Sequence, residues 1–106
     1  MKIRKKPLSL DSVIKSLREA MPELASRYGV KRLALFGSLV HGKRTRASDV
    51  DMVVELERPL GLEFVDLAEE LERVVGSRID LLTPAGIRSI RAPTVRKNIE
   101  ESLVYV

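Results

Sequence analysis

An apolar run that stops at a Gly-Ser pair places the strongest constraint on the fold of this chain. Residues 31–36 end in Leu-Ala-Leu-Phe, a continuous apolar run typical of a buried β-strand, and Gly37 and Ser38 follow directly. A second strand is predicted over residues 50–56. The segment between the two strands is too short for a regular parallel crossover, so we expect the strands to be antiparallel.

Helix and turn signals place the remaining elements around these two strands. Ser9 and Gly29 are typical helix-capping residues, and Pro22 is expected to kink or to restart the helix between them; a restart would divide it into 10–20 and 22–28. Thr83, followed by a proline, is predicted to open a turn. The other predicted elements are a short helix after the Gly-Ser pair, helices over about 62–75 and 93–101, and strands over 78–82 and 103–106, the last at an edge.

The predicted helix over 62–75 joins two strands and so sets their relative direction. Such a connection makes the strands parallel with a right-handed crossover, which gives a mixed sheet. We predict an α/β (α+β) fold with this mixed sheet flanked by helices. We expect a single domain over residues 1–106, in which residues 1–8 form a flexible basic tail.

Composition excludes several classes of function. The 106 residues include no cysteine and one histidine, which removes disulfide scaffolds, thiolate nucleophiles and the usual zinc sites. The longest uncharged run, residues 33–42, is too short to cross a bilayer, and the basic N-terminus lacks the apolar segment of a secretory signal. We therefore expect a cytoplasmic protein with no membrane partner.

The net charge of +4 conceals an uneven distribution. Residues 1–48 carry twelve Lys or Arg against three Asp or Glu, whereas residues 49–80 carry three against ten. Aromatic residues are only 4% of the chain, too few for a stacking platform, so nucleic-acid binding by the basic tail is a minor alternative. The acidic side of helix 62–75 is predicted to face solvent or a basic partner. A basic cluster is predicted to lie on the surface: Arg88, Arg91, Arg96 and Lys97.

Three aspartates and the Gly-Ser pair are expected to meet at one edge of the sheet. In the antiparallel pair, the end of the first strand lies beside Asp49 and Asp51 at the start of the second. These two aspartates are two residues apart, so their side chains point the same way. Asp80 lies early in the predicted parallel strand and so comes to the same edge, where burial would require a partner such as Arg78.

This set of residues favours a site for phosphate and metal. Crowded carboxylates repel one another, and Mg²⁺, which carboxylates, phosphate oxygens and water commonly hold, relieves the repulsion. Two such ions can stabilise the attacking and leaving oxygens of a displacement at phosphorus. The Gly-Ser turn offers N–H groups and a hydroxyl to a triphosphate. The cations of the following loop either contact that phosphate or remain solvated: Lys43, Arg44 and Arg46.

The stretch GSLVHGKRTRASDVDMVVEL resembles the Gly-Ser, ten residues, Asp-x-Asp motif of the DNA polymerase β-like nucleotidyltransferase superfamily. The resemblance is strongest over residues 33–82, and the whole chain is similar to the minimal nucleotidyltransferases of the MntA type. It implies that Gly37 and Ser38 bind the nucleotide and that Asp49 and Asp51 bind two Mg²⁺ ions. It also implies that Asp80 binds the catalytic ion and helps to deprotonate the acceptor.

The resemblance implies an activity and a partner as well. Such enzymes transfer AMP from ATP to a tyrosine of a HEPN-domain toxin, act as the antitoxin of a type VII-like pair, and form a hetero-oligomer with the toxin. Where relatives often carry Arg, this chain has His41, so a phosphate contact is either lost or replaced. The simpler expectation places His41 at an exposed helix end.

Two other functions stay open at this stage. The acceptor could be a small molecule such as an aminoglycoside, in which case transfer would need no protein partner. Alternatively, the chain could be a non-catalytic nucleotide-binding module that neutralises its partner by contact, which would persist without nucleotide or Mg²⁺.

Overall fold

The computed structural model describes residues 8–42 and 49–106, and over these residues a four-stranded sheet carries helices on both faces. The predicted basic tail, apart from Leu8, and the basic loop residues Lys43, Arg44 and Arg46 lie outside the described residues. In chain order the elements are α1 (Leu10–Tyr28), β1 (Val30–Phe36), α2 (Ser38–His41), β2 (Val50–Leu56), α3 (Glu63–Val75), β3 (Ile79–Leu82), α4 (Pro84–Arg88), α5 (Pro93–Glu101) and β4 (Val104–Tyr105).

The sheet is mixed, as predicted, with the strand order β3-β2-β1-β4. β1 and β2 are antiparallel, and β2 and β3, which α3 connects, are parallel. The C-terminal strand β4 lies at an edge and pairs antiparallel with β1, and the Val106 N–H donates a hydrogen bond of 2.9 Å to the Leu33 carbonyl. The topology therefore places the end of β1 and the starts of β2 and β3 at one edge.

α1 begins and ends at the predicted caps but is not divided. The Ser9 hydroxyl accepts a hydrogen bond of 3.1 Å from the Ser12 N–H, and Gly29 closes the helix in the left-handed conformation. The expected division at Pro22 is wrong, because the helix continues through it. Leu17 and Leu24, on either side of the proline, are fully buried in the same core, and this packing offsets the hydrogen bond that proline removes.

The turn predicted after Thr83 is a short helix, α4. The Thr83 hydroxyl accepts a hydrogen bond of 3.0 Å from the Gly86 N–H, and Pro84 occupies the first helical turn. Both residues stabilise a helix start, because the threonine side chain satisfies a free N–H and proline has none to satisfy. The prediction was wrong because these same residue types also begin turns.

The sheet has one heavily packed face and one lightly packed face. α1 and α3 cover the first, where apolar side chains from both helices meet those of β1 and β2. On the second face a smaller cluster of Phe36, Val53 and Ile87 packs with residues of α5 and β3. Because side chains alternate along β2, Asp51 lies on this second face with Val53. In the described part of the chain, no helix is long and apolar enough to cross a membrane.

Candidate active site

The turn that follows β1 brings its backbone against the Asp51 carboxylate. Phe36, the last residue of β1, pairs with Asp51 in the β1–β2 register, and Gly37 follows with φ 78° and ψ −149°. A Cβ atom at Gly37 would overlap the carboxylate, with the Asp51 Cγ only 3.1 Å away. Both the backbone conformation and the close approach therefore require glycine here.

Ser38 begins α2, a single turn whose start faces the same edge of the sheet. Its side chain is half-buried, and the His41 N–H closes the turn with a hydrogen bond of 3.1 Å to the Gly37 carbonyl. Gly42 ends the helix in the left-handed conformation. His41 is exposed at the end of α2, as the sequence predicted.

The structure brings the three predicted aspartates to one edge of the sheet. Asp51 and Asp80 are paired in the parallel register of β2 and β3, so their Cα atoms lie about one strand spacing apart, roughly 4.8 Å. Asp49 directly precedes β2 and is exposed. Gly37 and Asp51 are in contact, which places the Gly-Ser turn and the carboxylates in one site.

The electrostatics of this edge disfavour the ionised form of Asp51. Burial, followed by the charges of Asp80 and Asp49, raises the pKa of the Asp51 carboxyl above its ordinary value. Both neighbouring charges act in the same direction, so both repel the ionised Asp51 carboxylate. A bound cation or a proton would relieve that repulsion.

The expectation that Asp80 is buried and needs a partner is wrong. Its side chain is exposed, and none of the ion pairs among the described residues joins it to Arg78. β3 is an edge strand of four residues, so solvent reaches the carboxylate without a burial penalty. Asp80 is therefore accessible to a molecule that approaches this edge.

The carboxylate oxygens at this edge fit one part of a Mg²⁺ coordination shell. Within residues 8–42 and 49–106, no group of three or more acidic, histidine or cysteine side chains is arranged to hold a metal ion. Mg²⁺ keeps several waters and commonly uses one or two carboxylates with substrate phosphates, so it does not require a complete protein cage. Asp51 and Asp80 supply hard oxygen donors, and their mutual repulsion is of the kind that a divalent cation offsets.

A cross-strand cluster on the same face of the sheet was not predicted. The Arg32 Nε atom donates a hydrogen bond of 2.7 Å to the Glu55 Oε2 atom, and the Arg32 guanidinium lies 4.6 Å from the centre of the Tyr105 ring. These contacts join β1, β2 and the edge strand β4. The sequence indicates only that each of these residues lies in a predicted strand, and this does not identify the residues that it contacts.

This chain belongs to the nucleotidyltransferase domain family, whose model matches residues 14–106. The fold and this family match therefore define an enzyme of the nucleotidyltransferase class. Among solved structures, the chain is similar to one provisionally named a minimal nucleotidyltransferase, with a TM-score of 0.67, 28% identity and coverage of 92% and 95% of the two chains. The protein is a nucleotidyltransferase of this minimal type, which confirms the family expected from its motif.

Relatives of nearly the same length carry more specific names. A Methanocaldococcus jannaschii protein provisionally named protein adenylyltransferase MJ1379 is 40% identical over 101 residues, 92% of this chain and 98% of that protein. The protein adenylyltransferase MntA of Thermococcus cleftensis is 37% identical over 100 residues, 93% and 97% of the two chains. A solved toxin–antitoxin structure with AMP-PNP is similar with a TM-score of 0.59, 25% identity and coverage of 92% and 72%.

Proposed function

We propose that this nucleotidyltransferase is a protein adenylyltransferase that transfers AMP from ATP to a hydroxyl of a toxin and so acts as its antitoxin. The observation that carries the proposal is the contact between the Gly37 turn and Asp51 beside Asp80, because it joins a phosphate-binding turn to paired carboxylates. The names of the relatives and the toxin–antitoxin structure with AMP-PNP support the acceptor class and the nucleotide.

The Gly-Ser turn is proposed to hold the triphosphate. Gly37 allows the backbone to approach the phosphates closely, and Ser38 offers a hydroxyl and an N–H group at the start of a turn. Asp49, Asp51 and Asp80 are proposed to hold up to two Mg²⁺ ions together with phosphate oxygens and water. When bound, Mg²⁺ would neutralise charge on the triphosphate and on the carboxylates.

The transfer itself is a displacement at the α-phosphorus of ATP. The acceptor oxygen forms a new bond to this phosphorus, the bond to the bridging oxygen breaks, and pyrophosphate leaves with that electron pair. The Asp80 carboxylate is proposed to take the proton of the acceptor hydroxyl. Its exposure at the edge strand supports this role, because the side chain of a macromolecular acceptor can reach it.

The partner is proposed to be a HEPN-domain toxin and the acceptor one of its tyrosines. This finer assignment rests on the resemblance of the Gly37-to-Asp51 motif to MntA-type enzymes, a type that the name of one relative also gives. A hetero-oligomer of the two proteins follows, because the acceptor must be held at the edge during transfer.

The direct test combines this protein, ATP, Mg²⁺ and the protein that its neighbouring gene encodes, and measures intact masses. We expect the partner to gain the mass of AMP. Asp49→Asn and Asp51→Asn are each expected to slow transfer by at least about 100-fold, because each removes a carboxylate that is proposed to hold Mg²⁺ beside the reacting phosphate. Asp66→Asn, a matched change at an exposed position on α3, is the control and should transfer normally.

Three outcomes would count against the proposal. Unchanged transfer by Asp51→Asn would exclude the mechanism. Neutralisation of the partner by Asp51→Asn, without a mass change, would favour the contact-only module. Transfer of AMP to an aminoglycoside in the absence of any protein partner would favour the small-molecule enzyme.

A further inference from the structure

We propose that an extended segment of the protein that receives AMP pairs, as a further strand, with the outer side of β3. The outer side is the one that faces away from β2. This pairing rests on the proposed function, because it explains how an acceptor hydroxyl on a separate protein reaches the carboxylates. It places the accepting residue opposite Asp80.

The backbone of β3 presents successive residues alternately to β2 and to the outer side. The Val50 N–H donates a hydrogen bond of 2.9 Å to the Arg78 carbonyl, so the backbone of Arg78 faces β2. In a parallel ladder the N–H and C=O groups of one residue point to the same side, and successive residues alternate. The backbone of Asp80 therefore also faces β2, whereas the backbone groups of Ile79 and Leu81 face outward.

A side-chain contact agrees with this alternation and leaves Leu81 open. The Ile79 N–H donates a hydrogen bond of 3.2 Å to the Glu72 Oε2 atom on α3, which occupies the first outward N–H. Within the described residues, no hydrogen bond engages the outward N–H or C=O of Leu81. β3 is the last strand in the order β3-β2-β1-β4, and Leu81 is only half-buried. Unpaired N–H and C=O groups on an outermost strand are a template for another strand.

The open groups and their position select the occupant. A backbone N–H and C=O of one residue on the outer side of a strand are matched by the backbone of an extended peptide, which is how many proteins bind a partner segment. Asp80, the proposed base, lies between the two outward residues Ile79 and Leu81, and its side chain is exposed. A strand that pairs here passes directly beside the proposed base, so the acceptor protein is the partner that fits.

The pairing also determines where the accepting side chain lies. In an antiparallel pair, Leu81 exchanges both hydrogen bonds with one incoming residue, and the next incoming residue lies opposite Asp80. Side chains that lie opposite each other share one face of the sheet, with Cβ atoms roughly 4.5–5.5 Å apart. The accepting side chain therefore projects from the second face, which also carries the carboxylates of Asp51 and Asp80.

A shallow groove beside the start of β3 provides space for the rest of the segment. Its volume is about 430 Å³, and it lies where the end of α3 leads into β3. Because α3 packs on the first face, the groove is on the side of the sheet to which the neighbours of the accepting residue point. The groove is lined by polar and charged residues, which suit polar neighbours: Glu69, Glu72, Arg73, Ser77 and Arg78.

Replacing the backbone amide N–H of Leu81 by an ester oxygen, in chemically synthesised protein, tests the pairing without changing a side chain. The acceptor is the protein that the neighbouring gene encodes. We expect its KM to rise at least about tenfold, because one of its carbonyl groups loses a hydrogen bond, while the KM for ATP stays unchanged. Leu81→Pro removes the same N–H in recombinant protein, since proline is tolerated where a strand's N–H faces outward. Urea unfolding verifies that both variants are folded.

The matched control is the same ester at Tyr105 in β4, the strand at the opposite end of the sheet. The Val106 N–H bonds the Leu33 carbonyl, so the Tyr105 N–H faces away from β1, as the Leu81 N–H faces away from β2. This ester should leave the KM of the acceptor unchanged. An equal rise in both esters, or a fall in kcat alone for the Leu81 ester, would overturn the proposal.

Hydrogen exchange of the single Leu81 amide, followed by NMR, separates docking from transfer. In Asp51→Asn, the acceptor protein with Mg²⁺ and AMP-PNP should slow this exchange at least about tenfold and leave the Tyr105 amide unaffected. Slowed exchange without AMP transfer by the wild-type protein would refute the proposed function and support the docking surface. Transfer with unchanged Leu81 exchange would overturn the docking surface alone. Slowed exchange at high protein concentration without the acceptor would assign the surface to a second copy and also overturn the proposal.

Discussion

Gly37 is the residue whose lack of a side chain matters most to the candidate site. Gly37→Ala is expected to reduce nucleotidyl transfer by at least about 100-fold, because the new Cβ would push the Asp51 carboxylate out of place. The strained backbone adds a stability loss of about 1–3 kcal/mol. Activity assays with urea unfolding measure both effects.

Gly76 provides the control for the Gly37 substitution. It ends α3 with φ 76°, close to the φ of Gly37, but a Cβ there would meet nothing within 4 Å. Gly76→Ala is expected to cost about 1 kcal/mol and to leave transfer unchanged. Equal activity losses in the two variants would show that lost stability, rather than the contact with Asp51, explains the Gly37 effect.

Asp51 is expected to reduce the stability of the free protein at neutral pH. Burial and the charges of Asp80 and Asp49 raise the pKa of Asp51 in the folded state, so the folded protein favours the protonated carboxyl. The stability associated with this protonated form is complete only at acidic pH. This contribution is lost as the pH rises through the raised pKa, where the carboxyl must ionise. Asp51→Asn, which stays neutral, should therefore raise the melting temperature at pH 7.

The pH dependence of this gain in melting temperature distinguishes an effect of the Asp51 charge from an effect of the side chain's shape. Measured without Mg²⁺, the advantage of Asp51→Asn should shrink as the pH falls below about 4, where the aspartates of the unfolded chain also bind protons. Asp66→Asn on α3, an exposed residue without this environment, should show no comparable gain. A gain that is constant from about pH 3 to about pH 8 would contradict the electrostatic explanation.

The sequence predicted which residues meet at this edge of the sheet better than it described their surroundings. The spacing from Gly37 to Asp51 and the direction of the strands were sufficient to predict that Asp80 lies beside Asp51. The exposure of Asp80 could not be predicted, because it depends on which strand lies at the edge. The contact of Arg32 with Tyr105 likewise depends on the pairing of β4, a strand of only two residues.

At the scale of the element, local signals were reliable where they had a single structural meaning. The caps at Ser9 and Gly29 and the bounds of β2 and α5 agree with the structure. Pro22 and Thr83 were misinterpreted for a common reason, since each is compatible with two conformations. Burial of Leu17 and Leu24 decided the first case, and a cap hydrogen bond decided the second.

The start of α1 is a local interaction whose contribution can be measured. The Ser9 and Ser12 side chains each accept a hydrogen bond from the other's backbone N–H, at 3.1 and 3.3 Å. Ser9→Ala is expected to reduce the free energy of unfolding by about 1 kcal/mol in urea titrations, because it leaves a helix N–H unsatisfied. Ser26→Ala, at an exposed position inside the same helix, should be neutral or slightly stabilising.

At the scale of the whole molecule, the two faces of the sheet differ in packing. The first face buries side chains from α1, α3, β1 and β2 in one cluster, whereas the second depends on the small cluster around Ile87. The site lies on the second face, so the elements nearest to it contribute little buried area. α5, which contains no buried residue, should therefore open without unfolding the rest of the described structure.

Amide hydrogen exchange measures this difference directly. The N–H groups of α5 are expected to exchange through local openings at least about 2 kcal/mol below the free energy of global unfolding, whereas those of β1 and β2 should exchange only on global unfolding. Ile87→Ala should lower the protection of α5 further and leave α1 less affected, because Ile87 belongs to the second-face cluster alone. Equal protection in α5 and β1 would mean that the two faces unfold as one unit, and the packing difference would then have no consequence for motion near the site.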